Sequence, residues 1–366
     1  MADKVMVLFG GVSTEYIVSL RSAYNIISGL RESGYQVIPV GITPDGTWLR
    51  YLGPDEHIRD DRWSDQAWAD ARTGAGSGCA VRSPRDFILS VCGCRPDVIF
   101  PAVHGINCED GTLQGLLSLS GIPYVGCGVL ASAACMDKQH ARRIFRDAGI
   151  PQCRYLAVSR REIERSPQMV AAHVQETIGF PCFLKPSNGG SSVGTCRVAT
   201  ADELADALRD VSRYDQTVLV EAFVTAREIE VAVLGLDKPV TGAIGEVVTG
   251  AETAYYDYEA KYFSEHGATV VVPAELDEKT QRMIRQYALK AHLSIGCRGM
   301  ARVDFFLDKT DGTLYINEIN TLPGFTSISI FPKAFEAAGL PLSELVHKLC
   351  RMAIREQKNS KRLETI

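Results

Sequence analysis

The stretch Ala301-Arg302-Val303-Asp304-Phe305-Phe306-Leu307, the turn pair Asp311-Gly312 and the return Leu314-Tyr315-Ile316-Asn317-Glu318-Ile319-Asn320 decide the fold. The first run alternates, so a strand puts Arg302 and Asp304 on one face and Val303 and Phe305 on the other. Asp-Gly between two such runs is a hairpin signal. The same period of two sets Ile316, Glu318 and Asn320 together on the return strand. Pairing of matched faces then brings Asp304, Glu318 and Asn320 together, with Arg302 beside them. Three oxygen ligands on neighbouring strands suit Mg²⁺, which completes its octahedron with substrate phosphate and water. The alternative is a solvated face with a surface salt bridge. The sequel Thr321-Leu322-Pro323-Gly324-Phe325-Thr326 argues against that, because Gly324 can bring a backbone N–H up to a developing oxyanion.

Upstream, Phe183-Leu184-Lys185-Pro186 leads into Ser187-Asn188-Gly189-Gly190-Ser191-Ser192-Val193-Gly194. Small residues with exposed N–H groups are what a phosphate needs from a backbone. The loop is not a Walker A motif, because Thr195 stands where that motif requires lysine. No GxGxxG follows the first strand, which weakens a dinucleotide reading. A second lysine, Lys138, opens a helical segment, so two lysines and a glycine loop bracket a triphosphate.

The remaining chain frames these motifs. Residues 5–9 form a continuous apolar run, suited to a parallel strand buried on both faces. Gly10-Gly11 breaks it, and Ala23, Ile26, Ile27 and Leu30 recur at helical spacing before a second strand at 36–41. This α/β layer closes near residue 126. Within it, 53–86 reads as a surface excursion with a flexible stretch. Alanine-rich helices at 129–148, strands near 181–185 and 217–222 and a helix near 201–212 follow. Strands at 228–234 and 240–248, a polar aromatic loop at 250–268, a helix near 277–294, the hairpin and a helix at 340–356 complete the chain. Three domains are expected, at 1–126, 127–224 and 225–366.

Composition narrows the class. Of 366 residues, 46% are hydrophobic and 23% charged, which excludes a disordered or fibrous chain. Lys+Arg 39 against Asp+Glu 44 gives a net charge of −5, a poor balance for binding nucleic acid. No apolar run reaches the roughly 18 residues of a membrane span. The 11 scattered cysteines form no CxxC pair, which favours reduced thiols and a cytoplasmic protein.

Taken together, Gly10-Gly11 with Ser13-Thr14-Glu15, His104-Gly105 with Glu109-Asp110-Gly111, Met136-Asp137-Lys138, the Lys185 loop, Tyr256-Asp257-Tyr258-Glu259-Ala260-Lys261-Tyr262 and the 302–326 hairpin resemble the D-alanine–D-alanine ligases of the ATP-grasp superfamily. The resemblance implies an N-terminal parallel-sheet domain and two lobes that sandwich ATP. It implies ATP-dependent joining of two D-alanines through a D-alanyl phosphate, for peptidoglycan precursor synthesis, by a cytoplasmic homodimer that binds neither nucleic acid nor membrane.

The same resemblance implies roles for individual residues. Lys138 and Lys185 would hold ATP phosphates under a loop that includes Gly190 and Ser192. Glu221, Ala222, Phe223 and Val224 would border adenine, with Glu228 on the ribose and Lys261 at the γ-phosphate. Asp304, Glu318 and Asn320 would bind two Mg²⁺ ions, or Mn²⁺ in their place. Arg302 and the Gly324 N–H would form the oxyanion hole. Glu15 would take the first substrate's ammonium, with His104 nearby, and would latch with Ser191 and Tyr262. Ser329 and the Ile330 N–H would hold the second substrate's carboxylate.

Retention of Tyr262 argues for an amine nucleophile. D-Alanine is the expected second substrate. D-Serine is the alternative, since Ser13-Thr14-Glu15-Tyr16, Gly41-Ile42-Thr43 and Val125-Gly126-Cys127 lean towards the D-alanine–D-serine ligases of the vancomycin-resistance type. A biotin-carboxylase-like ligase would lack the tyrosine-rich lid. A silent ATP-binding relative would have lost Arg302, Asp304, Glu318 or Lys185, and all four are present. Three residues depart from the family pattern. Apolar Ile17 and atypical Ile106 flank the substrate motifs, and Cys108 replaces a glycine, so a positive-φ turn at Cys108 would be strained.

Overall fold

The computed structural model describes residues 3–73, 82–190, 192–249 and 268–360. The expected apolar run becomes β1 (Lys4–Gly10), flanked in parallel by β2 (Gln36–Ile42) and β4 (Val98–Pro101), with β3 (Trp48–Arg50) antiparallel at the edge. Val5 to Phe9 are all fully buried, as strands covered on both faces must be. The helix Tyr16–Glu32 covers this sheet with Leu20, Ala23, Ile26, Ile27 and Leu30.

The excursion after residue 53 is more than surface. Trp63 within it is fully buried, edge-on to Phe9 with ring centroids 4.9 Å apart. A Cβ at Gly41 would stand 2.2 Å from the indole, so β2 needs glycine there for close approach. The expected flexible stretch at 74–78 lies outside the described residues.

Two antiparallel sheets follow. β5 (Tyr155–Ser159), β6 (Cys182–Pro186), β7 (Cys196–Val198) and β8 (Thr217–Ala222) take the order β5-β8-β6-β7. β9 (Ala226–Gly235), β10 (Val240–Thr249), β11 (Ala268–Val271), β12 (Gly299–Asp308) and β13 (Leu314–Asn320) take the order β11-β10-β9-β12-β13. Helix Glu278–Ser294 packs Ile284, Ala288 and Ala291 against Val231 and Val233 of this third sheet. The helices Val129–Met136 and Lys138–Asp147, grouped by sequence with the middle segment, instead put Ala131, Cys135, Ala141 and Phe145 into the third-sheet core. The C-terminal helix Leu342–Ser360 returns to the first domain, where Leu345, Val346, Leu349 and Cys350 share the core of β1.

The deciding hairpin forms with one correction. Arg302 faces Asn320 and Asp304 faces Glu318, as matched faces require, but the register then slips so that Phe305 faces Ile316. The irregularity at Asn317–Glu318 turns Ile316 away from Glu318 and Asn320, into the core beside Val303 and Phe305. It also turns Asn317 to the second sheet, where its Oδ1 accepts from Lys185. The strain expected at Cys108 does not arise either. The left-handed residue is Asn107, φ 67°, a residue type that tolerates this region, and Cys108 is buried. All ten described cysteines are free thiols. Among the described residues, no helix is long and apolar enough to cross a membrane.

Candidate active site

The C-terminal end of β1, the end of β4, β12–β13 and the glycine loop meet at two adjoining cavities. One, of about 130 Å³, is walled by Glu15, His104, Glu109, Arg302, Gly324 and Ser329. The other, of about 50 Å³, is walled by Lys138, Gly189, Gly190, Glu318 and Asn320. Glu15 and Glu109 border both.

Arg302 is the electrostatic centre. Its guanidinium donates from Nε and Nη2 to Asp304 at 2.8 and 2.6 Å, and its Nε stands 2.9 Å from Glu230. Asn320 donates from Nδ2 to Asp304 Oδ2 at 2.9 Å. Glu230, absent from the sequence reading, enters because β9 pairs with β12 and sets it opposite Asp304. Its signal was the alternation Glu228, Glu230, Ala232 along β9.

Lys138 lines the smaller cavity, and Lys185 is buried behind it. Lys138 Nζ donates to the Gly189 carbonyl at 2.5 Å and stands 3.7 Å from Glu318. Lys185 Nζ lies 2.9 Å from Glu221 and donates to Asn317 Oδ1 at 3.1 Å. The carboxylate of Glu221 is shared with Arg142, and all three side chains are buried. Burial pulls Lys185 below the usual lysine pKa against the pull of Glu221. Burial alone would raise Glu221, but Arg142 and Lys185 outweigh it and hold the carboxylate below its ordinary value.

Beside the lysines, the glycine loop is anchored from below. Asn188 donates twice to Asp215, and Ser187 donates to Asp137 at 2.8 Å. Ser192 is left-handed, φ 59°, and Gly194 packs on the Tyr214 ring. Ser191, Lys261 and Tyr262, the remainder of the expected lid and latch, lie outside the described residues. Glu228 sits on β9, and the 221–224 segment leaves β8 beside Lys185.

The substrate end is equally defined. Glu15 precedes the helix Tyr16–Glu32 without capping it through its side chain, so its carboxylate is turned to the cavity. A Cβ on Gly105 or Gly190 would fall 3.1 or 3.4 Å from Glu15 Oε2, which draws the first domain against the glycine loop. His104 lines the cavity, yet both of its ring nitrogens already have protein partners, Leu322 O at 3.0 Å and Ser22 Oγ at 3.4 Å. Ser329 bonds with Thr326 Oγ1 at 2.8 Å and precedes the helix Ile330–Ala337, whose first N–H groups lack intrahelical partners and favour an anion.

Glu15, Glu230, Asp304 and Glu318 crowd around Arg302 and Lys138, an excess of negative charge, with the Glu109 carboxyl beside them. Among the described residues no three His, Cys, Asp or Glu side chains form a ready-made metal cluster. Two carboxylates and an amide on paired strands are nonetheless hard oxygen donors that fit Mg²⁺ sharing its shell with phosphate.

Glu109 registers the crowding. Burial, ahead of the Glu15 charge, pushes its pKa from 4.5 up to about 8. A carboxyl that gains protons on folding makes the fold less stable as pH rises between those values. Glu109→Gln is therefore expected to flatten the decline of the unfolding midpoint from about pH 5 to 8 in ligand-free protein. An unchanged slope would contradict this.

A parallel-sheet domain set against two antiparallel sheets, with lysines, carboxylates and a glycine loop between them, defines an ATP-grasp fold. Family models of the D-ala D-ala ligase N-terminus and C-terminus match residues 4–127 and 144–351. The D-alanine–D-alanine ligase of Acetivibrio thermocellus is 45% identical, covering 98% of each chain. The crystal structure of the VanG D-Ala:D-Ser ligase from Enterococcus faecalis is 34% identical, with TM-score 0.82 and coverage of 96% of this chain and 100% of that one. The D-alanine–D-alanine ligase from Coxiella burnetii is 33% identical, with TM-score 0.81 and coverage of 98% and 97%. This chain belongs to the D-alanine–D-alanine ligase family.

Proposed function

We propose that the protein joins two D-alanines at the expense of ATP, through a D-alanyl phosphate. The observation that carries this reading is the meeting of Arg302, Lys138, Glu15 and the Gly324 turn around one cavity system. A carboxylate is a poor electrophile, and transfer of the γ-phosphoryl group to its oxygen creates a leaving group. The amine of the second substrate then attacks the carbonyl carbon, and phosphate departs as the C–O bond breaks. Lys138 and Lys185 hold ATP phosphates under the glycine loop that carries Gly190 and Ser192. The segment Glu221–Val224 and Glu228 border the nucleoside, and Lys261 reaches the γ-phosphate. Glu15 receives the first ammonium, Ser329 and the Ile330 N–H the second carboxylate. Arg302 and the Gly324 N–H stabilise the oxyanion, an electrostatic task for fixed donors. Asp304, Glu318 and Asn320 would hold two Mg²⁺ ions, or Mn²⁺, which when bound offset phosphate charge. Ser191 and Tyr262 complete the latch with Glu15.

A homodimer belongs to the same proposal, supported by the family resemblance. So does a division into three domains, in which helices Val129–Met136 and Lys138–Asp147 go with the third sheet and Leu342–Ser360 with the first. D-Alanine as second substrate is supported by the relatives at up to 45% identity. The test is phosphate release from Mg-ATP with D-alanine alone and with added D-serine, products identified by mass. Release with D-alanine alone and a D-Ala–D-Ala product is expected. A dominant mixed product would assign D-serine instead, and no release would overturn the reading.

Gly324 offers a sharper check. A Cβ there would stand 2.9 Å from Ser329 Oγ, so Gly324→Ala must displace Ser329, the turn, or both. The expected loss in kcat is about 10–100-fold, since misplacement by about 1 Å has that effect. Wild-type turnover in this variant would remove Gly324 from the oxyanion hole.

A further inference from the structure

We infer that Ser22 and Asn25, on the first helix, are positioning residues for the Gly324 turn and act on it with His104 through a closed hydrogen-bond circuit. The inference rests on the proposed ligase reading, because it gives the turn its task. The circuit has one direction. The Leu322 carbonyl can only accept, so His104 Nδ1 carries a hydrogen and donates to it at 3.0 Å. The Phe325 N–H can only donate, and Ser22 Oγ accepts it at 3.0 Å. The Ser22 hydroxyl hydrogen is then directed at His104 Nε2, 3.4 Å away.

Both ends of the circuit therefore fall on one turn, at Leu322 and Phe325, and enclose Pro323-Gly324. Asn25 holds the opposite side of the same residue, donating from Nδ2 to the Phe325 carbonyl at 2.7 Å. Ser22 is wholly buried and His104 nearly so, so water does not substitute for either partner. Burial also pulls His104 below its ordinary pKa, against the charge of Glu15, which agrees with a neutral ring. One turn up the helix, Ser19 accepts from Gly10 N at 2.7 Å and donates to Ala102 O at 2.5 Å, fixing the strand ends that carry Glu15 and His104. The first domain thus sets the orientation of a peptide in the loop that follows the last strand of the third sheet. His104, expected from sequence beside the substrate ammonium, has no ring nitrogen left for that ligand in this arrangement.

The test compares Ser22→Ala and Asn25→Ala with wild type in steady-state kinetics, and reads the His104 imidazole by ¹⁵N NMR, assigned with His104→Gln. Either substitution is expected to lower kcat about 10–100-fold, with KM for ATP within about threefold. Wild-type His104 is expected as the neutral Nδ1–H form, shifting in Ser22→Ala. A folded Ser22→Ala with wild-type kcat overturns the inference, as does a wild-type ring protonated on Nε2. If both variants fail to fold, the wild-type spectrum still decides. An inactive wild type would instead indict the ligase reading.

Discussion

Arg302→Ala is expected to lower kcat by about 10²–10³-fold while nucleotide affinity stays within about threefold of wild type. The guanidinium divides between Asp304 and Glu230, which face each other across β12 and β9. Those carboxylates hold its plane fixed, so it meets a developing oxyanion without first reorganising. Removing it also leaves two facing carboxylates unscreened, so Arg302→Lys is the proper companion. Lysine keeps the charge but loses the fork, and an intermediate rate is expected. Phosphate-release kinetics and calorimetric nucleotide titration measure the two quantities separately. Wild-type turnover in Arg302→Ala would sink the oxyanion assignment.

The second large effect is on stability. Glu221→Ala is expected to destabilise the protein by about 3–5 kcal/mol, because it leaves buried cations without their counter-charge. Lys185 and Arg142 both contact this one carboxylate, with side-chain exposures of 7% and 1%. Gln152 accepts from Arg142 at 3.4 Å and the Tyr155 ring lies 5.2 Å away, but neither supplies a negative charge. Activity should fall as well, since Lys185 loses the partner that fixes its ammonium group. Denaturant or thermal unfolding checks the prediction, and a change below about 1 kcal/mol would contradict it.

What the sequence disclosed follows physical range. The hairpin faces were legible because alternation is local, and Asp304, Glu318 and Arg302 meet as that alternation requires. The slip at Asn317 was not legible, since a bulge depends on the partner strand, and it carried Ile316 into the core. Glu230 and Glu109 were visible as residues but not as neighbours of Arg302 and Glu15. Their places come from strand pairing and loop packing between segments far apart in the chain. The Arg142–Glu221–Lys185 group was hidden for another reason, because burial of charge is decided by what surrounds it. Trp63 lay in a segment too polar to read as core, yet it fills the space left by Gly41. Ser22 belongs with these: a lone helical serine carries no signal until its partners arrive from residues 104 and 325.

The most direct test of the account is isotope transfer. D-Alanine labelled with ¹⁸O in its carboxylate is supplied with Mg-ATP, and the released phosphate is analysed by mass. One ¹⁸O per phosphate is expected, because the carboxylate oxygen that accepts the γ-phosphoryl group leaves with it when the amide forms. Unlabelled phosphate formed together with dipeptide, or label recovered in AMP, would contradict the acyl-phosphate route.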